Sequence, residues 1–406
     1  MRFHVLHSPL GTLLAYHLRQ TLPSKHAVSL IYKDGVQTPT THSNVVRLEH
    51  SGVIMSVRNI DFEPLNPNYR PPYDKFTKAT AADTQTPDHD STPIESLIVT
   101  TSPASTTTIL DLLTHRLSPQ STIVLMQPGL GVYEKLVTKL FPNPTRRPHF
   151  IIASPRHDAF LKEANHVVHD LSGSIDFSIV PDPRGRDFEA VLRSRDTPAL
   201  HRGLQLTDIA NKHNDTKFGE YASLRNTVAV LSRLDALNVS WLPMEEGEVV
   251  LRRDLVVRAV TDALAVALGL PNGALLSTPS SRKLAESLIV EINGAFRAQW
   301  ETEIRSQLPP DQGSRRMKMP PLPTGLGRRA LMGELVRHLL VAKGREAPML
   351  IDIETGVSTQ RRYGLGYLHA IGRAYGFSMP TTFTLLQTIV ARESLAKTKH
   401  TAHVKS

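Results

Sequence analysis

Residues 3–15 read Phe3-His4-Val5-Leu6-His7-Ser8-Pro9-Leu10-Gly11-Thr12-Leu13-Leu14-Ala15. An apolar strand runs through a short polar turn straight into an apolar helix, the opening of a βαβ unit. When such a unit holds a dinucleotide it carries three glycines: one for the tight turn, one that lets the backbone reach the pyrophosphate, and one for close helix–strand packing. Of these only the packing glycine, Gly11, is present. His7 and Ser8 stand in the region of the first two, the turn is one residue short, and Pro9 removes a backbone N–H that would face a phosphate. The frame is Rossmann-like, but the turn lacks the chemistry that grips NADP.

Outward from this turn, apolar runs recur at Phe3–Leu6, Val28–Tyr32, Ser96–Thr100, Thr122–Met126, His149–Ala153 and Phe177–Val180, with helical stretches between them. That alternation predicts an α/β fold, a parallel sheet with helices on its faces. Val45–Val57 reads as an added hairpin around Ser51-Gly52. Pro64–Pro93 is rich in Pro, Thr, Asp and Asn and reads as a mobile surface loop. Phe218–Leu237 is helical in pattern and Val239–Leu242 is one more short strand. Beyond Pro243 the strand signal fades, and helices are predicted over 249–268, 281–307, 327–343, 360–375 and 381–396. The expected organisation is therefore a Rossmann-like domain over 1–246, an all-α domain over 247–396, and a frayed basic tail over 397–406.

The chain has 406 residues, 40% of them hydrophobic, enough for two ordinary cores. No apolar run reaches the roughly 18 residues a membrane span needs; even Leu255–Leu270 carries Arg258 and Asp262. With no cysteine, disulfides and thiolate metal sites are excluded. Forty-seven Lys and Arg against 38 Asp and Glu give a net charge of +9, a balance that favours polyanionic partners such as RNA. No acidic residue precedes Asp34, while Arg2, Arg19, Lys25 and Lys33 do, the charge pattern of a mitochondrial targeting segment. Because this stretch is also the first βα unit, targeting to the mitochondrial matrix is expected without cleavage.

Four separated motifs, taken in order, resemble the ketopantoate reductase family over most of the chain. They are the Gly11 turn, Gln127-Pro128-Gly129-Leu130-Gly131 after a strand, the Asp254–Gly273 stretch that opens the helical domain, and Ala347–Gly366. The resemblance implies a Rossmann-like domain followed by a helical one, NADP as cofactor, and reduction of a 2-keto acid. It also implies where the chemistry should lie, and there the residues differ. Pro128 stands at the family's asparagine, so an amide that donates and accepts is replaced by a ring that does neither. The family's Lys-x-x-x-Asn-x-x-x-Asn-Pro is matched by Asp254, Arg258, Asp262 and Ala263, which puts an anion at the position of the ketone-polarising lysine. Arg258, one turn away, has too high a pKa to donate a proton near neutrality. Ala347-Pro348 replaces the serines that hold substrate, and Gln360 replaces the catalytic glutamate. Lys33 stands where the family grips the adenosine phosphate, with Thr101 and Ser102 in place of the second basic contact. Gly11, Gln127, Gly129, Asn272-Gly273, Met349, Asp352 and Tyr363 remain. No catalytic residue is therefore expected, and at most Gly11, Lys33, Gln127 and Gly129 persist as remnants of a cofactor site.

Basic pairs recur at Arg146-Arg147, Arg252-Arg253, Arg315-Arg316 with Lys318, Arg328-Arg329 and Arg361-Arg362. Gathered on one face they would form a phosphate-binding surface, and scattered they are solvated charge. Aromatic content of 6% does not suggest a base-stacking platform. His166 and His169 lack a third ligand, so no metal is expected. Ser280-x-x-Lys283 reads as a helix N-cap rather than an acyl-transfer motif.

Two functions are consistent with these residues. One is a non-catalytic family member that needs no cofactor and contacts the mitochondrial ribosome or a messenger RNA leader, alone or as a homodimer. In support, the runs 93–99 and 127–136 are similar to those of a fungal mitochondrial translational activator of cytochrome b messenger RNA. The alternative is an NADPH-dependent 2-dehydropantoate 2-reductase, or a related 2-keto acid reductase, that has relocated its acid and its phosphate grip. A regulatory metabolite in the altered cofactor region is a third possibility.

Overall fold

A helix segment that is apolar around its circumference needs cover around its circumference, and Leu13, Leu14, Ala15, Tyr16 and Leu18 are all buried. The computed structural model, which describes residues 1–33, 44–65, 92–127, 129–193, 202–307 and 320–404, supplies that cover with two sheets. β1 (Arg2–Leu6), α1 (Pro9–Thr21) and β2 (Ala27–Lys33) are followed by the hairpin β3 (Val45–His50) and β4 (Val53–Arg58), and by β5 (Asp61–Leu65). β6 (Ser96–Val99), α2 (Pro103–Leu113), β7 (Thr122–Met126), α3 (Val132–Lys139) and β8 (His149–Pro155) continue the alternation. β9 (Asp158–Glu163) and β10 (His166–Leu171) form a second hairpin before β11 (Ile175–Ile179), α4 (Ala190–Arg193), α5 (Leu206–Ile209), α6 (Phe218–Leu231) and β12 (Val239–Trp241).

Eight strands form one sheet in the order β12-β11-β8-β7-β6-β1-β2-β5, parallel throughout except where β11 runs antiparallel to β8. A second sheet, β4-β3-β10-β9, joins the two hairpins. α1 touches β1 and β2 of the large sheet and all four strands of the small one, so it lies between them. This sandwich explains why the run from Gly11 to Tyr16 is buried without a break, while Gln20 and Thr21 at the end of the helix are exposed.

The remaining described elements are helices: α7 (Met244–Leu268), α8 (Pro279–Gln307), α9 (Arg328–Val341), α10 (Pro348–Glu354), α11 (Leu365–Ala374) and α12 (Pro380–Val404). α8 is their hub, packed on α9, α11 and α12. Gly294 lets it seat the Phe377 ring, since a Cβ there would lie 2.1 Å from Phe377 Cζ. Glu291, also on α8, accepts hydrogen bonds from the Thr381 and Thr382 backbone N–H groups, both at 2.8 Å, and so caps α12. One compact unit comprises Met1–Pro128 and Val132–Gly247, the other Gly129–Gly131 and Glu248–Ser406.

Several expectations change. Pro64 and Leu65 are not loop but the end of β5, because a proline is tolerated on an edge strand, where no ladder hydrogen bond is lost. Residues 66–91 of the expected loop lie outside the described residues. The tail after 396 does not fray at once: α12 continues to Val404. The N-cap of α8 is Thr278, which accepts from Ser281 N–H at 3.1 Å while Ser281 Oγ accepts from Thr278 N–H at 3.3 Å. β9 was not anticipated, for its residues are mostly exposed and carry little apolar signal.

Candidate functional site

At the β1–α1 turn three hydroxyl and amide groups form one directional chain. Gly11 N–H donates to Ser8 Oγ at 2.9 Å, Ser8 Oγ–H donates to Thr100 Oγ1 at 2.8 Å, and Thr100 Oγ1–H donates to Leu6 O at 2.8 Å. Ser8 thus caps α1 and uses a helix N–H that a phosphate would otherwise take. Gly11 stays glycine for packing, because a Cβ would sit 2.1 Å from Leu6 O and 2.7 Å from Thr100 Oγ1.

His7 closes the other side of the turn. Its ring stacks on Tyr32 at 4.0 Å between centroids, and Nε2–H donates at 2.9 Å to Ala164 O in the β9–β10 turn. Tyr32 OH donates to the same carbonyl at 3.3 Å. Burial lowers the His7 pKa below its usual value, with the bond to Ala164 opposing it, and pushes the Tyr32 hydroxyl well above its own. The turn is filled by Ser8 bonded to Thr100 and by His7 stacked on Tyr32 and bonded to Ala164 O, which is not the donor set of a pyrophosphate cradle. Thr100 and Tyr32 were missed by sequence reasoning, since neither stands in a motif position.

Lys33 is exposed at the end of β2. Thr101 Oγ1 is buried without a hydrogen-bond partner. Gln127 is buried and accepts from Thr106 Oγ1 at 2.7 Å, which ties it to α2. Pro128 lies outside the described residues.

In the helical unit, Gly129 and Gly131 hold positive φ angles of 100° and 88°. A Cβ on Gly129 would lie 2.7 Å from Tyr363 O, and one on Gly131 would lie 3.0 Å from the Tyr367 ring. The retained glycines and Tyr363 therefore form a packing set. Asp254, Arg258 and Asp262 recur every fourth residue along α7, on one face. Asp262 is half-buried and accepts from Met349 N–H at 3.4 Å. Its pKa is pushed up to about 7, chiefly by burial, against the Met349 bond and the Arg258 charge and with help from Asp352. Ala347 precedes α10 and supplies no hydroxyl, and Gln360 precedes the short turn Arg361–Tyr363.

The basic pairs divide. Arg361 is locked in an ion pair with Glu393, which also binds Lys397 and Thr359, so it is a structural cation rather than a free one. Arg252 pairs with Glu248 at 3.3 Å, and the Arg253 Nε is buried. Arg328, Arg329 and Arg362 are exposed, while Arg315, Arg316 and Lys318 lie outside the described residues. Arg328 lines a groove together with Arg297, a residue overlooked because it stands alone in the sequence. His166 lies 3.1 Å from Glu49, and His169 bonds His157. No group of three candidate ligands is placed to hold a metal ion among the described residues. No described helix is long and apolar enough to cross a membrane.

A Rossmann-like sheet unit followed by a helical unit defines a reductase-like architecture. The profile described as Ketopantoate reductase PanE/ApbA matches residues 10–182, and that of its C-terminal domain matches residues 250–393. The chain belongs to the ketopantoate reductase family. No curated protein sequence matches it. Among solved structures, D-mandelate dehydrogenase with NADH and anilino(oxo)acetate superposes with a TM-score of 0.64 at 14% identity, covering 98% of this chain and 99% of that one. The probable 2-dehydropantoate 2-reductase of Bacillus subtilis gives 0.58 at 16% identity, covering 97% and 100%. A dimeric ketopantoate reductase from Staphylococcus aureus gives 0.56 at 11%, covering 98% and 100%.

Proposed function

We propose that this chain works by binding rather than by catalysis. It acts without NADP in the mitochondrial matrix and supports translation of cytochrome b messenger RNA at the mitochondrial ribosome. The observation that carries the non-catalytic part is the closed chain from Gly11 through Ser8 and Thr100 to Leu6. Hydride delivery to a carbonyl builds negative charge on oxygen, and Asp254, standing where the resemblance implies a lysine, raises the barrier that a cation lowers. The net charge of +9, the acid-free start and the exposed Arg328, Arg329 and Arg362 support a polyanionic partner. The dimeric Staphylococcus aureus neighbour supports a homodimer.

A thermal-shift titration with NADPH tests the first part. At about 100 times a dissociation constant, a bound ligand stabilises by about 2.7 kcal/mol. The expected outcome is no shift. Co-sedimentation with mitochondrial ribosomes tests the second part: association is expected, and charge reversal at Arg328 and Arg329 should reduce it. Unchanged sedimentation of that variant would remove these residues from the contact.

A second reading, an NADPH-dependent 2-dehydropantoate 2-reductase or related 2-keto acid reductase, is favoured by the exposed Lys33, the buried Gln127 and the reductase neighbours. It requires NADPH oxidation in the presence of ketopantoate.

A further inference from the structure

The helical unit carries a groove that none of the family positions lines. Asn293, Arg297, Trp300 and Glu301 lie on one face of α8 and form one wall of a hollow of about 760 Å³, with Pro320–Leu322 and Arg328 opposite. A smaller hollow of about 280 Å³ shares Asn293, Arg297, Glu301 and Arg328 and reaches Phe377. The volume is that of a small-ligand site.

Its side chains are held for contact. Trp300 Nε1–H donates to Pro320 O at 3.1 Å, which orients the indole. Asn293 is buried and donates from Nδ2 to Leu326 O at 2.8 Å. Arg297 and Arg328 are exposed, and neither forms an ion pair among the described residues. The carboxylate of Glu301 faces Arg305 of its own helix at 3.9 Å.

Two guanidiniums beside a fixed indole suit one chemistry better than others. Guanidinium binds phosphate oxygens in a planar fork, the indole offers a face for a base, and a carboxylate accepts from a ribose hydroxyl. A simple dicarboxylate would satisfy the arginines and leave the indole unused. We propose that this α8–α9 groove binds a nucleoside phosphate, either free or as a unit of a single-stranded RNA. As an RNA site it rests on the binding function proposed above; as a site for a free nucleotide it does not.

The 406-residue chain contains two tryptophans, Trp241 and Trp300. In a Trp241→Phe background Trp300 alone reports, and its fluorescence is titrated with adenosine 5′-monophosphate, with a uridine oligonucleotide of about ten residues and with inorganic phosphate. Saturable quenching is expected, weakest for phosphate. Arg297→Glu with Arg328→Glu should weaken binding about tenfold or more. Trp300→Ala, followed by calorimetry, should weaken it roughly fivefold or more, with circular dichroism unchanged. A response to the monophosphate alone assigns the groove to a free nucleotide; a much tighter response to the oligonucleotide assigns it to RNA. The proposal is overturned by no quenching with either nucleotide, by equal affinity for phosphate, or by a polyglutamate peptide that binds as tightly. Should the arginine variant still co-sediment with ribosomes, the groove assignment fails as an RNA site while the binding function stands.

Discussion

Ser8 satisfies two partners with one hydroxyl, Gly11 N–H and Thr100 Oγ1, and so ties the β1–α1 turn to the end of β6. The same logic governs ionisation elsewhere. Asp262 holds its proton far above the usual carboxylate range, to about 7. Its folded pKa lies above its unfolded one, so its contribution is present below about pH 4 and is lost as pH rises toward 7. Asp262→Asn, which supplies the residue the family pattern has there, should raise the urea midpoint clearly at pH 8 and little at pH 4. A larger gain at pH 4 would refute the assignment. Histidines act in the opposite sense. His157 Nδ1 accepts from Gly173 N–H at 3.0 Å and lies 3.0 Å from His169 Nε2, with the His50 ring tilted against that of His169 at 5.0 Å between centroids. Burial, reinforced by neighbouring histidines, lowers His17 and His169 to about 4, and burial lowers His149 to about 4. The unfolded chain binds these protons first, so stability should decline as pH falls from about 6.5 to about 4. Urea melts across that range check the slope, and replacing His17 or His169 by Gln should flatten it.

At the scale of elements, α1 is the piece on which the first unit depends, because it is packed between two sheets and is buried continuously from Gly11 to Tyr16. Gly11→Ala places a methyl against a backbone carbonyl, which cannot rotate away as a side chain can. The expected loss is about 3 kcal/mol in a denaturant melt. A loss below about 0.5 kcal/mol would mean that α1 can shift and that the close approach is not needed. Element types were largely legible: the apolar runs gave β1, β2, β6, β7, β8 and β11, and the 3.6-residue period gave the long helices. β5 and β9 were not, since Pro64 reads as a breaker and the exposed face of β9 carries little apolar pattern. Pairing partners were not legible either. Nothing local in His166–Leu171 says that it runs parallel to Val45–His50, more than a hundred residues away in sequence.

For the whole molecule, charge sets the expected behaviour with partners. If the exposed Arg328, Arg329 and Arg362 neutralise three phosphates, association with single-stranded RNA should weaken roughly 20-fold between about 50 and about 200 mM salt. Filter binding with a cytochrome b leader checks this, and a flat response would exclude phosphate contacts as the source of affinity. The distribution of that charge was illegible in the sequence. Arg361 reads as a surface cation, yet it sits against Glu393, a carboxylate that only the folded helices bring near, whereas the partner of Arg252, Glu248, lies one turn away on α7.

What the sequence determined by itself was local: the strand–turn–helix of residues 3–15, the single glycine of its turn, and the change from alternating strands and helices to helices alone beyond Pro243. These follow from residue type and spacing, which act over a few neighbours. Tertiary structure alone decided what fills the turn, because Thr100, just after β6, and Ala164, in the β9–β10 turn, reach Ser8 and His7 from far along the chain. It also decided which arginines are spent on carboxylates and which line the groove of α8, since solvation and pairing depend on neighbours through space and not along the chain.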